Sequence, residues 1–85
     1  MRVRHPSSAT ATSKLIDAVM DIYITWRERA TAVEAAYRAW TSAPAHERAS
    51  AYASYAQALD CEELAANEYR RMVEQAGMSL ALRNV

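Results

Sequence analysis

Trp40-Thr41-Ser42-Ala43-Pro44 contains the one residue between Ser13 and Gly77, Pro44, that can stop a helix. Neither glycine nor a second proline interrupts the chain on either side, so the sequence predicts two long helices folded back at this turn. Upstream, Thr12 or Ser13 can cap a first helix. Their side-chain oxygens would meet the free N–H groups of the opening turn, with Asp17 near the positive end of the helix dipole. The first helix is expected over about residues 13–40, and its 28 residues would span roughly 42 Å. Downstream, Ser42 or Ala43 precedes Pro44, whose missing N–H is harmless in a first turn, and a second helix is expected over about 44–76. Gly77 suits a left-handed C-cap, with Arg70 and Arg71 in the last turns.

Outside this 13–77 hairpin lie two short segments. Residues 1–12 are small, polar and basic with no apolar period, so they read as a flexible arm. Residues 78–85 read as a short tail in which Met78, Leu80, Leu82 and Val85 are apolar enough to dock.

An 85-residue chain makes one domain, near the size where a single core is marginal without disulfides, metal or oligomerisation. Cys61 is the only cysteine, so no disulfide forms within the chain, and a lone thiol fits a reducing cytosol. No run of 18 apolar residues and no secretory leader pattern is present, which predicts a leaderless, soluble, cytoplasmic protein. Ten basic residues cancel ten acidic ones. That balance argues against a partner held by charge, such as nucleic acid or an anionic membrane.

The apolar pattern determines how the helices pack. In the first helix Leu15, Val19, Ile22, Trp26, Val33 and Trp40 follow steps of four and three, with Arg29 and Ala36 between them, and form an inner seam. A second stripe runs through Ile16, Met20, Tyr23, Ala30 and Tyr37, making the apolar surface wider than one partner helix covers. In the second helix the inner seam is expected at Tyr52, Tyr55, Leu59, Ala66, Tyr69, Val73 and Ala76, flanked by Ala49, Ala53, Ala56 and Met72. A hairpin gives each helix one neighbour, so the second stripe must be covered by something else. A homodimer forming a four-helix bundle is the simplest answer, with a different helical protein as the other possible partner.

The candidate chemical groups are few. If the chain folds about residues 42 and 43, Asp21 comes near Glu62 and Glu63 with Asp17 one turn beyond, and four carboxylates could hold a hard divalent cation. The simpler reading is a solvated acidic face relieved by Arg27 or Arg70. A di-iron bundle needs Glu-x-x-His, which neither His5 nor His46 supplies, and the repeated Glu-x-x-Glu of helical nucleotide pyrophosphatases is absent. Cys61 has no histidine placed to activate it, since His46 lies 15 residues up the same helix, so it reads as an inert thiol. His46 beside Glu47 reads as surface. Arg29, on the inner seam, either snorkels to the edge or pairs with a glutamate across an interface. Neither an enzyme nor a cofactor, resident metal or small-molecule substrate is expected.

All seven aromatic residues, Tyr23, Trp26, Tyr37, Trp40, Tyr52, Tyr55 and Tyr69, fall within the two helices. At helical spacing they read as packing residues before they read as a ligand-stacking box. Tyrosine and tryptophan are also favoured where an interface stays partly wet. Together with Ile16 and Met20 they are the interface candidates. Arg2, Arg4, Lys14 and His5 form a basic arm, but a short basic arm on a neutral domain predicts no nucleic-acid site.

The strings Trp26-Arg27-Glu28, Ala36-Tyr37-Arg38-Ala39-Trp40 and Ala58-Leu59-Asp60-Cys61-Glu62-Glu63 resemble those of small, uncharacterised helical proteins of actinobacteria. A helical hairpin with tryptophan at its turn is also similar in outline to the WXG100 family of small secreted dimers. That resemblance implies a heterodimer subunit of a secretion system. The chain departs from the family's pattern at Ser42, where the family has glycine. It also departs after Tyr69, where Val73 stands four residues on and the acid, Glu74, comes one later. The sequence therefore predicts an all-α helical-hairpin module that acts by association and is not catalytic.

Overall fold

The computed structural model describes residues 8–83, and these form an antiparallel hairpin of two helices with no strand among them. Helix α1 runs Ser8–Thr41, a 3-10 turn occupies Ala45–Glu47, and helix α2 runs Arg48–Arg83. The all-α hairpin is as the sequence predicts, but both helices are longer than expected. α1 starts five residues before Ser13, so Thr12 and Ser13 lie inside it, and residues 8–12 of the expected arm are helical. Alanine, serine and threonine continue a helix at little cost once it is nucleated, and nothing in that stretch breaks it. Residues 1–7 of the arm lie outside the described residues.

At the other end, Gly77 does not cap α2. No glycine has a positive φ, and the helix continues through Gly77 to Arg83. Residues 78–83 are therefore helix and not tail, while 84 and 85 lie outside the described residues. A mid-helix glycine is a weak breaker, costing about 1 kcal/mol against alanine, and the residues after it resume a helical pattern.

The turn is built differently from expectation as well. Ser42 finishes α1 instead of opening the second helix: its N–H and hydroxyl both donate to Arg38 O, at 3.1 and 2.7 Å. The Thr41 hydroxyl donates to the Tyr37 and Arg38 carbonyls, which helps satisfy acceptors left free at the helix end. Pro44 sits in extended backbone (φ −62°, ψ 158°) ahead of the 3-10 turn, and α2 begins only at Arg48. The Arg48 guanidinium reaches back to donate to Ala43 O at 3.3 Å, and Ala43 is the one buried residue among those described.

This geometry moves the register. The ring pairs Tyr37–Tyr55, Tyr23–Tyr69 and Trp40–Tyr52 all have residue 46 as their midpoint, not 42 or 43. The three residues of the 3-10 turn account for the shift.

The seam of α1 falls where the sequence places it. Leu15, Val19, Ile22, Trp26, Val33, Ala36 and Trp40 are half-buried, whereas Arg29 is exposed and makes no ion pair among the described residues. The seam of α2 is rotated by one residue from the expected one. An unbroken run of half-buried positions follows Ala51, Tyr55, Ala58, Glu62, Ala65, Tyr69, Met72 and Ala76 in steps of four and three, with Ala56, Ala66 and Asn67 half-buried beside it. Tyr52, Leu59 and Val73 lie beside this seam and are exposed. Alanines carry little hydrophobic weight, so the larger neighbours dominated the expectation, and Glu62 looked like a surface residue. Small residues let the helix backbones approach, and the bulkier side chains are left outside.

Candidate interaction surface

Seven rings form two clusters along the hairpin. Tyr23, Trp26 and Tyr69 make one, and Tyr37, Trp40, Tyr52 and Tyr55 the other. Within each, tryptophan stacks on a tyrosine of α2: Trp26 on Tyr69 at 5.3 Å and 17°, Trp40 on Tyr55 at 5.4 Å and 16°. A tyrosine three residues before each tryptophan meets it edge-on, at 5.9 Å for Tyr23 and 6.1 Å for Tyr37. The clusters thus repeat at fourteen residues, two heptads, forward in α1 and backward in α2. Both arrangements are ones that aromatic quadrupoles favour.

One polar contact breaks the repetition. The Trp26 indole Nε1–H donates to Glu62 Oε2 at 2.8 Å, partly buried in the seam. The residue fourteen before Glu62 is Arg48, which has no acceptor to offer Trp40. Glu62 was expected to belong to an acidic cluster, and the register overturns that. Asp21 lies level with the region around residue 71. Among the described residues no three His, Cys, Asp or Glu side chains gather closely enough to hold a metal. Asp17, Asp21, Glu62 and Glu63 therefore do not make a common site. Cys61 is a free, exposed thiol, and His46 meets only the neighbouring Glu47, at 3.3 Å on the open surface.

Every seventh residue beside the seam builds a continuous face. Along α1 it carries Ile16, Tyr23, Ala30 and Tyr37, and along α2 Tyr52, Leu59, Ala66, Val73 and Leu80. In an antiparallel pair these two rows flank the same side. The lining of the shallow depressions agrees. Val33, Tyr37 and Tyr55 share one, and Trp26, Ala66, Tyr69 and Val73 another, whereas Thr25, Arg29, Cys61, Ala65 and Glu68 border a third on the opposite side. All seven large residues of the first face are exposed, from 36 % for Tyr23 to 53 % for Ile16. The residues bordering that third depression are polar or small apart from Leu64, which also lines it. Exposed apolar residues elsewhere, Met20, Ile24, Leu64, Met78 and Leu82, are off this face.

Of the interface candidates, Trp26, Trp40, Tyr55 and Tyr69 are half-buried between the helices, and Ile16, Tyr23, Tyr37 and Tyr52 lie on the face. Met20 borders it. Leu59 and Val73, expected inside, and Leu80, expected in the tail, complete the face. A strict seven-residue spacing through Tyr52 to Leu80 was the signal for it, and the supposed helix end at Gly77 hid its last member. No protein-family model, curated protein or solved structure matches the chain. Among the described residues no helix is long and apolar enough to cross a membrane.

Proposed function

We propose that this protein is a non-catalytic interaction and assembly module that acts by self-association, two hairpins packing their apolar faces into a four-helix bundle. One observation carries the reading. Among the described residues no side chain is fully buried, and seven of the twelve large exposed apolar residues line a single face. A lone hairpin of this kind leaves its tyrosines, isoleucine, leucines and valine in water, where burying each would contribute roughly 1.5–3 kcal/mol. Contiguous apolar surface rimmed by polar groups marks an interaction site.

The available area is sufficient. Two helices about 50 Å long and about 10 Å across present roughly 1,000 Å², above the roughly 800 Å² per partner of a standard specific interface. Sedimentation equilibrium across a concentration series tests the reading. A dimer is expected at micromolar concentration, with helix content falling on dilution. A monomer that still melts cooperatively at those concentrations would refute it.

A further inference from the structure

The self-associating face has a symmetry of its own, and from it we infer how the second copy sits. This inference rests on the proposed self-association. Ala30 and Ala66 are the two small residues of the face, and with the register centred on residue 46 they lie four residues, about 6 Å or just over one helical turn, from a common level. Counting outward, Tyr23 and Tyr37 stand seven residues either side of Ala30. Leu59 and Val73 stand seven either side of Ala66, and Tyr52 and Leu80 fourteen either side. A two-fold axis lying in the interface and crossing the helices at Ala30 and Ala66 therefore carries the face onto itself over residues 23–37 and 52–80, with Ile16 falling opposite Pro44. α1 lies antiparallel on α1 of the second copy, and α2 on α2. The alanines permit the closest approach at the axis, and larger side chains meet larger ones away from it.

Charges at the rim obey the same axis. Arg27 and Glu34 border the α1 row, and Glu63 and Arg70 border the α2 row, each at the position one helical turn from a face residue. Arg27 and Glu34 are centred on Ala30 to within half a residue, and so are Glu63 and Arg70 on Ala66. Each Arg27 then faces Glu34 of the second copy and each Glu63 faces Arg70 of the second copy, giving four ion pairs. The Arg70 guanidinium already donates to Asn67 Oδ1 at 2.7 Å and keeps further N–H groups free for this contact. A parallel dimer, with α1 on α2 of the second copy, would bring Arg27 near Glu63 but leave Glu34 against Ala56 and Arg70 against Met20. It would form two pairs only. Isologous association requires this kind of self-complementarity, and opposite charges at a rim fix register and orientation.

The test is a charge swap read by sedimentation equilibrium, with Cys61→Ser as background. Glu34 and Arg27 are exposed and seven residues apart; their exchange takes the Arg27 guanidinium from over the Trp26 ring, 6.0 Å from its centroid, and Glu34→Arg puts a like charge four residues before Arg38, so helix content is measured beside association. Glu34→Arg sets two arginine pairs against each other per dimer and should raise the dissociation constant about tenfold, at 1.4 kcal/mol per decade. Adding Arg27→Glu should return the constant to within about threefold of the background, as expected for surface pairs worth under 1 kcal/mol each.

A second variant, Ala30→Cys in the same background, should form a covalent dimer on mild oxidation, because only the antiparallel axis brings residue 30 to its own counterpart. A double swap that stays as weak as the single one overturns the arrangement, and so does an Ala30→Cys chain that remains uncrosslinked while dimeric. In both cases self-association itself would stand. A background protein that is monomeric throughout would overturn the arrangement and the proposed function together.

Discussion

Glu62 occupies a seam position that an aliphatic side chain would fill by default, and the Trp26 indole makes it acceptable there. A carboxylate drawn part-way from water needs a donor, and the 2.8 Å bond supplies one. Because Arg48 stands at the equivalent place by Trp40, the bond can form in one register only, so Glu62 acts as a register mark more than as a source of stability. Glu62→Ala should cost about 1 kcal/mol, allowing for the partial exposure of the pair. Glu62→Gln, whose amide oxygen still accepts, should cost less. Urea denaturation at fixed protein concentration compares them, and equal losses would show that charge and not the acceptor matters. Gly77 presents the converse case. Its φ is helical, and a Cβ built there meets nothing within 4 Å. Gly77→Ala should therefore stabilise by about 0.5–1 kcal/mol, seen as a higher melting temperature; a lower one would mean that the α2 end is not helical in solution.

At the level of the helices, the outline was readable and the rotation of α2 was not. Pro44 determines that there are two helices, and in α1 the large residues at steps of four and three mark the seam without competition. In α2 the same steps are held by Ala51, Ala58 and Ala65, with Glu62 among them, and hydrophobicity alone points to the neighbouring row of Tyr52, Leu59 and Val73. Helix ends were misread for a related reason. Serine, threonine and glycine each offer an end signal, but an unbroken helix with a neighbour to pack on continues through them. The contact between Trp26 and Glu62 depends on register, which a sequence with an irregular turn does not disclose. Close approach through the alanine row has a measurable consequence. Ala58→Leu should force the helices apart and destabilise by about 1–3 kcal/mol, as overpacking does. Thermal melts would detect it, and an unchanged melting temperature would mean that residue 58 does not face α1.

For the whole molecule, the same rotation changes what a charged substitution should do. Leu59 was expected inside the hairpin, where a glutamate would unfold the chain; at 39 % exposure on the outer face it should behave like Tyr23. Tyr23→Glu and Leu59→Glu should each shift the monomer–dimer equilibrium by more than tenfold, a change of over 1.4 kcal/mol. At concentrations where both variants are monomeric they should share the helix content of the diluted parent. Circular dichroism alongside sedimentation separates the effects, and selective loss of helix in Leu59→Glu would restore that residue to the interior.

The two aromatic clusters, alike in geometry, differ in how far apart their partners lie along the chain. Trp40 and Tyr55 close a loop of 15 residues, Trp26 and Tyr69 one of 43. Closing the longer loop first would cost about 1 kcal/mol more in chain entropy, so the hairpin should nucleate at the bend beside Ala43 and zip toward its open end. Trp40→Phe should then slow refolding, while Trp26→Phe should chiefly speed unfolding, as stopped-flow fluorescence of the remaining tryptophan can record.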